Sequence, residues 1–398
     1  MSAKITNFAA RKKVIYKLLS LIMTNKTTRP RVEIVGSFLA PEQLEDAISR
    51  KVAGQIAEDD FHAIEDEVID RLIDREIESG LEIVTDGEMR RKSWDRDFWE
   101  GLLGVDRERI DTGSVWQDEP VRRSLLKFNG RIAYNPEHPF FEKFVHLKQL
   151  VAGRADVRQT IPSPGELYMR IVMLSNGDPG KIYESPATLL DDITDAYRKT
   201  IAEFYRLGCR HIQLDSSVWG RLCDTDFQRT LLLGGLDPDA ITATLVHLIN
   251  SAIESRPDDL EITLSIAADE TRIPRWDNVN EQAHLRRMFE DVDADAFLLP
   301  FDINSPSQFE QLAAFPSGRR AILGLVDGSM AGLENINDIV NVVRLARRYV
   351  SPEWISISPT CGFKVKDRER QGLNYETQWT KIDLLNRAAD ILAGDEQE

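Results

Sequence analysis

Cysteine is scarce in this chain of 398 residues: Cys209, Cys223 and Cys361 are widely spaced and odd in number. They form neither a disulfide framework nor a C-x-x-C redox or metal pair, and they suit a reducing compartment. Long apolar runs are also missing. None approaches the ~18–20 residues of a membrane-spanning helix, so no membrane partner is expected. Net positive charge is absent as well. Fifty Lys and Arg against 66 Asp and Glu leave −16, the opposite of a nucleic-acid-binding footprint. There is no internal repeat, no low-complexity linker, and no G-x-G-x-x-G after the first strand-like run to support a dinucleotide fold. What remains is ordinary globular composition, 42% hydrophobic and 29% charged, which excludes disorder as the main state.

Charge is unevenly placed. Residues 1–32 hold eight basic residues and no acid, leaving −24 on the rest. Residues 1–31 read as an N-terminal extension, with Met23 as an alternative start, or as an organelle presequence. The first reading makes the protein cytoplasmic and the second mitochondrial. Lys17 interrupts the apolar stretch from Val14 to Met23, which argues against a secretory signal.

From residue 32 onward, short β-rich runs alternate with helical periodicity. Strands are expected at Val32–Phe38, Leu81–Thr85, Asp156–Ile161, Arg210–Leu214, Leu260–Ile266, Ala296–Phe301, Arg320–Val326 and Trp354–Ser358. Helices are expected near 58–79, 139–153, 187–207, 238–255, 280–291, 305–314, 334–349 and 377–393. Eight strand–helix units predict an α/β fold, a single (β/α)8 TIM-type barrel over 32–398. Residues 105–136 fit neither element of a unit and read as a β-hairpin inserted after the second strand.

Barrel enzymes do chemistry at the C-terminal ends of their strands. The residues there are Gly36-Ser37-Phe38, Asp86-Gly87-Glu88, Ser163-Pro164-Gly165, Asp215-Ser216-Ser217, Ala267-Ala268-Asp269-Glu270, Asp302, Asp327-Gly328-Ser329 and Thr360-Cys361-Gly362. Asp86, Glu88, Asp215 and Asp269 are the candidate acid–base groups, with solvated loop acids as the plain alternative.

These stretches carry a resemblance. Ile34-Val-Gly-Ser-Phe38, Gly80-Leu-Glu-Ile-Val-Thr-Asp-Gly-Glu-Met-Arg-Arg91, Ile212-Gln-Leu-Asp215, Gly324-Leu-Val326 and Ser358-Pro-Thr-Cys-Gly-Phe363 resemble the catalytic barrel of cobalamin-independent methionine synthases. The likeness is to short members consisting of that barrel alone, and it runs from about 32 to 394. It implies a methyltransferase of amino-acid metabolism that uses a reduced-folate methyl donor. It also implies zinc, which holds the substrate thiol as the reactive thiolate.

The family's zinc ligands are an H-x-C motif after the fifth strand, a Glu after the sixth and a Cys after the eighth. Only Cys361 keeps its place; Ser265, Ala267 and Pro300 stand at the others, and the chain contains no H-x-C. One thiolate without imidazole does not make such a site, so zinc is not expected, while the folate donor stays open. Asp269, Glu270 and Asp302 offer oxygens of the kind Mg²⁺ or Mn²⁺ prefer, or are merely solvated.

The residues that hold the amino acid in the family correspond to Ser37, Glu88 and Asp215. Two carboxylates would pair with an ammonium, and main-chain N–H groups near Gly36, Ser37 and Phe38 would take a carboxylate. Arg90, with Arg91, would neutralise an anionic tail or form surface ion pairs. Lys364 would lower the pKa of Cys361 or steady an oxyanion, Cys361 being a nucleophile or an inert buried thiol. Trp94, Trp99, Trp116 and Trp219 would stack a flat ring or pack the core. Three functions are open for a small-molecule substrate: a transferase working without zinc, a repurposed barrel using carboxylate acid–base chemistry as a lyase, hydrolase or isomerase, and a non-catalytic binder. The sequence assigns no oligomeric state.

Overall fold

The computed structural model describes residues 29–112, 121–174, 182–266, 279–364 and 372–394. Eight parallel strands form one curled sheet: β1 (Arg31–Val32), β2 (Ile83–Val84), β5 (Asp156–Pro162), β6 (His211–Asp215), β7 (Glu261–Ser265), β8 (Ala296–Pro300), β9 (Arg320–Val326) and β10 (Ile355–Pro359). Their spatial order is β1-β10-β9-β8-β7-β6-β5-β2, so consecutive barrel strands lie side by side, as right-handed β–helix–β units require. The fold is the expected (β/α)8 barrel.

Two antiparallel strands, β3 (Leu103–Thr112) and β4 (Val121–Ala133), form the inserted hairpin. Its base is pinned to the helix Pro186–Arg206: Arg131 makes a two-pronged pair with Asp192 at 2.7 and 2.6 Å. The Tyr183 hydroxyl, just before that helix, accepts the Ile132 N–H at 2.7 Å.

Several boundaries differ from the sequence reading. The first strand, expected over Val32–Phe38, is regular only at Arg31–Val32, and further on Gly36 takes φ +149° and turns the chain. Arg31, assigned to the extension, is a strand residue; residues 1–28 lie outside the described ones. The second strand shortens to two residues, and the 305–314 helix is a 3₁₀ helix, Pro306–Ala314. Closure between β1 and β2 therefore rests on few groups. The Thr85 hydroxyl donates to the Gly36 carbonyl at 2.9 Å, and the Phe38 N–H to the Gly87 carbonyl at 3.0 Å.

Helices cover the outside of the sheet through apolar stripes. Val68, Ile69, Leu72 and Ile73 of the helix Glu58–Glu78 are buried, as are Leu189, Ile193, Tyr197 and Phe204 of Pro186–Arg206. The latter helix starts where its sequence predicts, with the Ser185 hydroxyl accepting the Thr188 N–H and Pro186 in the first turn.

Alternate strand residues face the barrel axis. Within it lies a small apolar cluster of Ala296, Leu298 and Ile322 with Val35 packed against it, distinct from the large core under the helices. Toward the N-terminal ends of the strands the interior is charged. Glu33 pairs with Arg158, and with Arg320 at 3.7 Å; Arg320 pairs with Glu261, which His211 meets at 3.4 Å. Burial pushes the Glu33 carboxyl up, but Arg158, Arg320 and Arg31 overcome it and hold its pKa at about 2. A carboxylate with a folded pKa below its unfolded one stabilises the fold above the unfolded value and loses that contribution as pH falls. Glu33→Gln is thus expected to cost about 3–5 kcal/mol in urea unfolding at pH 7, since it strands a buried guanidinium. The deficit should shrink as pH falls from about 4.5 toward about 2. Equal stability of variant and wild type at pH 7 would contradict this account.

Candidate functional site

The chain turns sharply after β2. Asp86 accepts the Glu88 N–H at 3.0 Å, and Glu88 adopts φ +55°, a left-handed conformation that costs a non-glycine residue energy. That conformation is held by the Glu88 side chain, which accepts from Arg91 Nη1 at 3.2 Å and from the Thr160 hydroxyl of β5 at 3.1 Å. Gly36 lies directly against this pair: a Cβ there would sit 3.1 Å from Thr160 Cγ2 and 3.4 Å from Glu88 Oε1. Glycine is what lets the first and second loops meet.

Asp215 ends β6, its carboxylate accepting the Gln213 amide at 2.7 Å and a hydrogen bond from Ser265, its neighbour across the ladder. Burial, then the charge of Glu88, push its pKa up to about 7 against the opposing pull of Gln213, Ser265 and Arg91. Glu88 and Asp215 thus share one electrostatic site, with Arg91 between their influences. Arg91 is buried and lies 4.7 Å from the Phe140 ring centroid.

Ser37 and the eighth-strand loop meet on the adjacent side. The Ser37 carbonyl accepts the Phe363 N–H at 3.0 Å, and its hydroxyl accepts the Lys364 N–H at 3.3 Å. Cys361 is buried, and Gly328 packs on it so closely that a Cβ there would be 3.2 Å from its Sγ. None of the three cysteines is in a disulfide.

The remaining expected residues have partners of their own. Arg90 reaches the helix Glu58–Glu78, pairing with Asp66 and lying 3.9 Å from Glu65, whereas Arg91 is the arginine that meets Glu88. Phe38 is a core residue, stacked on Trp379 at 5.1 Å and tilted on Phe363 at 5.8 Å. Lys364 Nζ donates to the carbonyls of Glu88 and Arg91, bracing the second loop. Asp302 closes its own loop through Asn304 and Ser305. Trp99 and Trp219 are buried packing, Trp99 donating to the Tyr197 hydroxyl at 3.1 Å. Asp269, Glu270, Ala267 and Trp116 lie outside the described residues.

The sequence reading missed Glu166. It follows Ser163-Pro164-Gly165 by one residue and is buried, on the helix Pro164–Leu174. Its carboxylate accepts the Val218 N–H at 2.6 Å and the hydroxyls of Ser216 at 3.2 Å and Ser217 at 3.3 and 3.2 Å. Burial pushes its pKa up to about 7 in spite of these donors, with Asp95 adding to the rise. The signal was its helix-start position beside a rim hydroxyl.

The likeness of the whole chain to known proteins agrees with the geometry. A protein of Bacillus subtilis strain 168 described as uncharacterized, YxjH, is 31% identical over 361 residues, covering 89% of this chain and 94% of its own length. A methionine synthase of Sulfolobus acidocaldarius is 22% identical over 354 residues, 87% of this chain and 89% of its own. The crystal structure of a putative vitamin-B12 independent methionine synthase from Listeria monocytogenes superposes with a TM-score of 0.70 at 27% identity, covering 92% of this chain and 99% of that one. The chain belongs to the cobalamin-independent methionine synthase family. No protein-family model matches it.

The family's zinc poses a test of fit. Of the positions corresponding to its ligands, Ser265 is hydrogen-bonded to Asp215, Pro300 has no donor side chain, and Cys361 supplies one sulfur. Among the described residues no group of three or more His, Cys, Asp or Glu side chains could hold a metal ion. This donor set does not fit a zinc that activates a thiol.

An acid whose folded pKa is raised binds its proton more tightly folded than unfolded, so its ionisation destabilises the fold as pH rises. For Asp215 that window runs from about 4 to about 7. Asp215→Asn is expected to melt at a higher temperature than wild type at pH 8, with the difference fading toward pH 4. A lower melting temperature at pH 8 would show the carboxylate to be stabilising.

Proposed function

We propose that this member of the methionine synthase family binds a small α-amino acid at the barrel mouth and acts on it, or on an amino-acid-like thiol, without zinc. The observation that carries the reading is the convergence of two carboxylates at the barrel mouth: Glu88 is bonded to Thr160 of β5, and Asp215 to Gln213, the residue paired with Thr160 on β6. An ammonium group between them relieves their repulsion and forms charge-assisted hydrogen bonds to both. The ligand carboxylate then lies toward Ser37, where a main-chain turn and a hydroxyl converge. Methionine synthase, the name its Sulfolobus relative bears, supports an amino acid as the ligand.

The chemistry we assign is methyl or alkyl transfer of the family type. Without a coordinating metal, a thiol of pKa ~8.5 is only slightly ionised at neutral pH, so the residues do not supply the family's thiolate activation. Asp215 supports a second reading. With a pKa of about 7 it can take or give a proton at neutral pH, as acid–base chemistry on the same ligand requires. Cys361, packed under Gly328, has a structural place in either reading.

Calorimetry with L-methionine and L-homocysteine tests the amino-acid site. Wild-type protein is expected to bind at least one of them, and Asp215→Asn and Glu88→Gln should each weaken that binding by about tenfold or more, the value of a charge-assisted hydrogen bond. Binding unaffected by both variants overturns the reading. Elemental analysis of the purified protein tests the metal: zinc well below one ion per chain is expected. Stoichiometric zinc, with folate-dependent methionine formation abolished by its removal, would overturn the zinc-free assignment.

A further inference from the structure

We propose that Glu166 is a positioning residue of this site, clamping the three residues after Asp215 so that its carboxylate is presented at a fixed depth and direction. The proposal rests on the amino-acid reading above and deepens it. Asp215 is the last residue of β6, and beyond it the chain leaves the sheet at once: Ser216 N–H donates to the Ser265 carbonyl at 2.8 Å, and the short helix Ser217–Leu222 begins. Ser216, at the N-cap position of that helix, makes no side-chain cap hydrogen bond. Glu166 takes that place from another element, accepting from Ser216, Ser217 and Val218 together.

Its own position is fixed. The Glu166 N–H donates to the Ser163 carbonyl at 3.1 Å, and the Ser163 N–H donates to the Asp215 carbonyl at 2.7 Å. A closed circuit therefore runs from Asp215 through Ser163 and Glu166 back to the residues following Asp215. The wall behind it is ordered too: the Tyr197 hydroxyl approaches the Ser163 carbonyl at 3.4 Å and accepts from Trp99. A buried carboxylate with three partners, all from one exit loop, has no other evident task in the barrel. A surface ion pair would leave the Asp215 backbone unaffected; this circuit does not.

The test pairs Glu166→Ala, which removes the acceptor, with Glu166→Gln, whose amide oxygen can still take the Val218 N–H. Hydrogen exchange on the ligand-free chain, followed by mass spectrometry, should show faster exchange in peptides covering 216–222 for E166A and near wild-type exchange for E166Q. Unchanged exchange there in E166A overturns the proposal. Calorimetry with whichever of L-methionine and L-homocysteine the wild type binds should show E166A weakening binding about tenfold and E166Q less than about threefold, while in the Asp215→Asn background E166A adds less than about twofold, the non-additivity expected if both act through one carboxylate. Additive losses assign Glu166 a general structural role and overturn the proposal. Binding of neither amino acid by the wild type overturns the amino-acid reading and this one with it, whereas wild-type affinity in E166A overturns this one alone.

Discussion

Two like charges held together in a partly dry place are the constraint on which this barrel mouth depends. Glu88 and Asp215 come from distant parts of the chain, and burial first, then the charge of Glu88, raises the Asp215 pKa. Everything nearby limits their repulsion. Arg91 and Thr160 hold Glu88, while Gln213 and Ser265 hold Asp215. A cationic group entering between the carboxylates would do what those neighbours do only in part. The strained φ of Glu88 is accompanied by the same contacts, Arg91 and Thr160 holding its side chain.

The barrel supports this arrangement by dividing its interior into layers. At the N-terminal ends of the strands, charges are paired outright, Glu33 with Arg158 and Arg320, and there ionisation favours the fold. Above them lies the apolar layer of Val35, Ala296, Leu298 and Ile322. At the C-terminal ends, the excess of carboxylate is left without full compensation. One end of the fold thus uses charge for stability, and the other holds it at a cost, as sites prepared for a ligand commonly do.

Against the family pattern, the change at Ser265 is the most informative. Where the resemblance calls for a metal-binding imidazole, a hydroxyl instead bonds to Asp215. At this position the side chain serves the Asp215 carboxylate. Pro300, at the end of β8, offers no side-chain donor in its turn.

Much of this was legible in the residues. Alternating β-rich runs and helical stripes gave the barrel, a stretch after the second strand that fits neither element of a unit gave the hairpin, and the position of acids just past strand ends pointed to Asp86, Glu88, Asp215 and Asp269, the last outside the described residues. Other features were not, because they depend on which way a side chain turns. Arg90 and Arg91 are neighbours in sequence, yet one reaches Asp66 outside and the other Glu88 within. Phe38 beside Ser37 points into the core, and Lys364 turns to carbonyls rather than to a thiol. Glu166 escaped notice because its three partners lie some fifty positions downstream, a proximity that only β5 and β6 pairing side by side creates. The sequence by itself determined the fold and the chemical inventory of the rim, since strand and helix periodicity and residue type are local properties. The tertiary structure alone decided which charges face one another, because burial and electrostatic coupling exist only between groups that folding brings together.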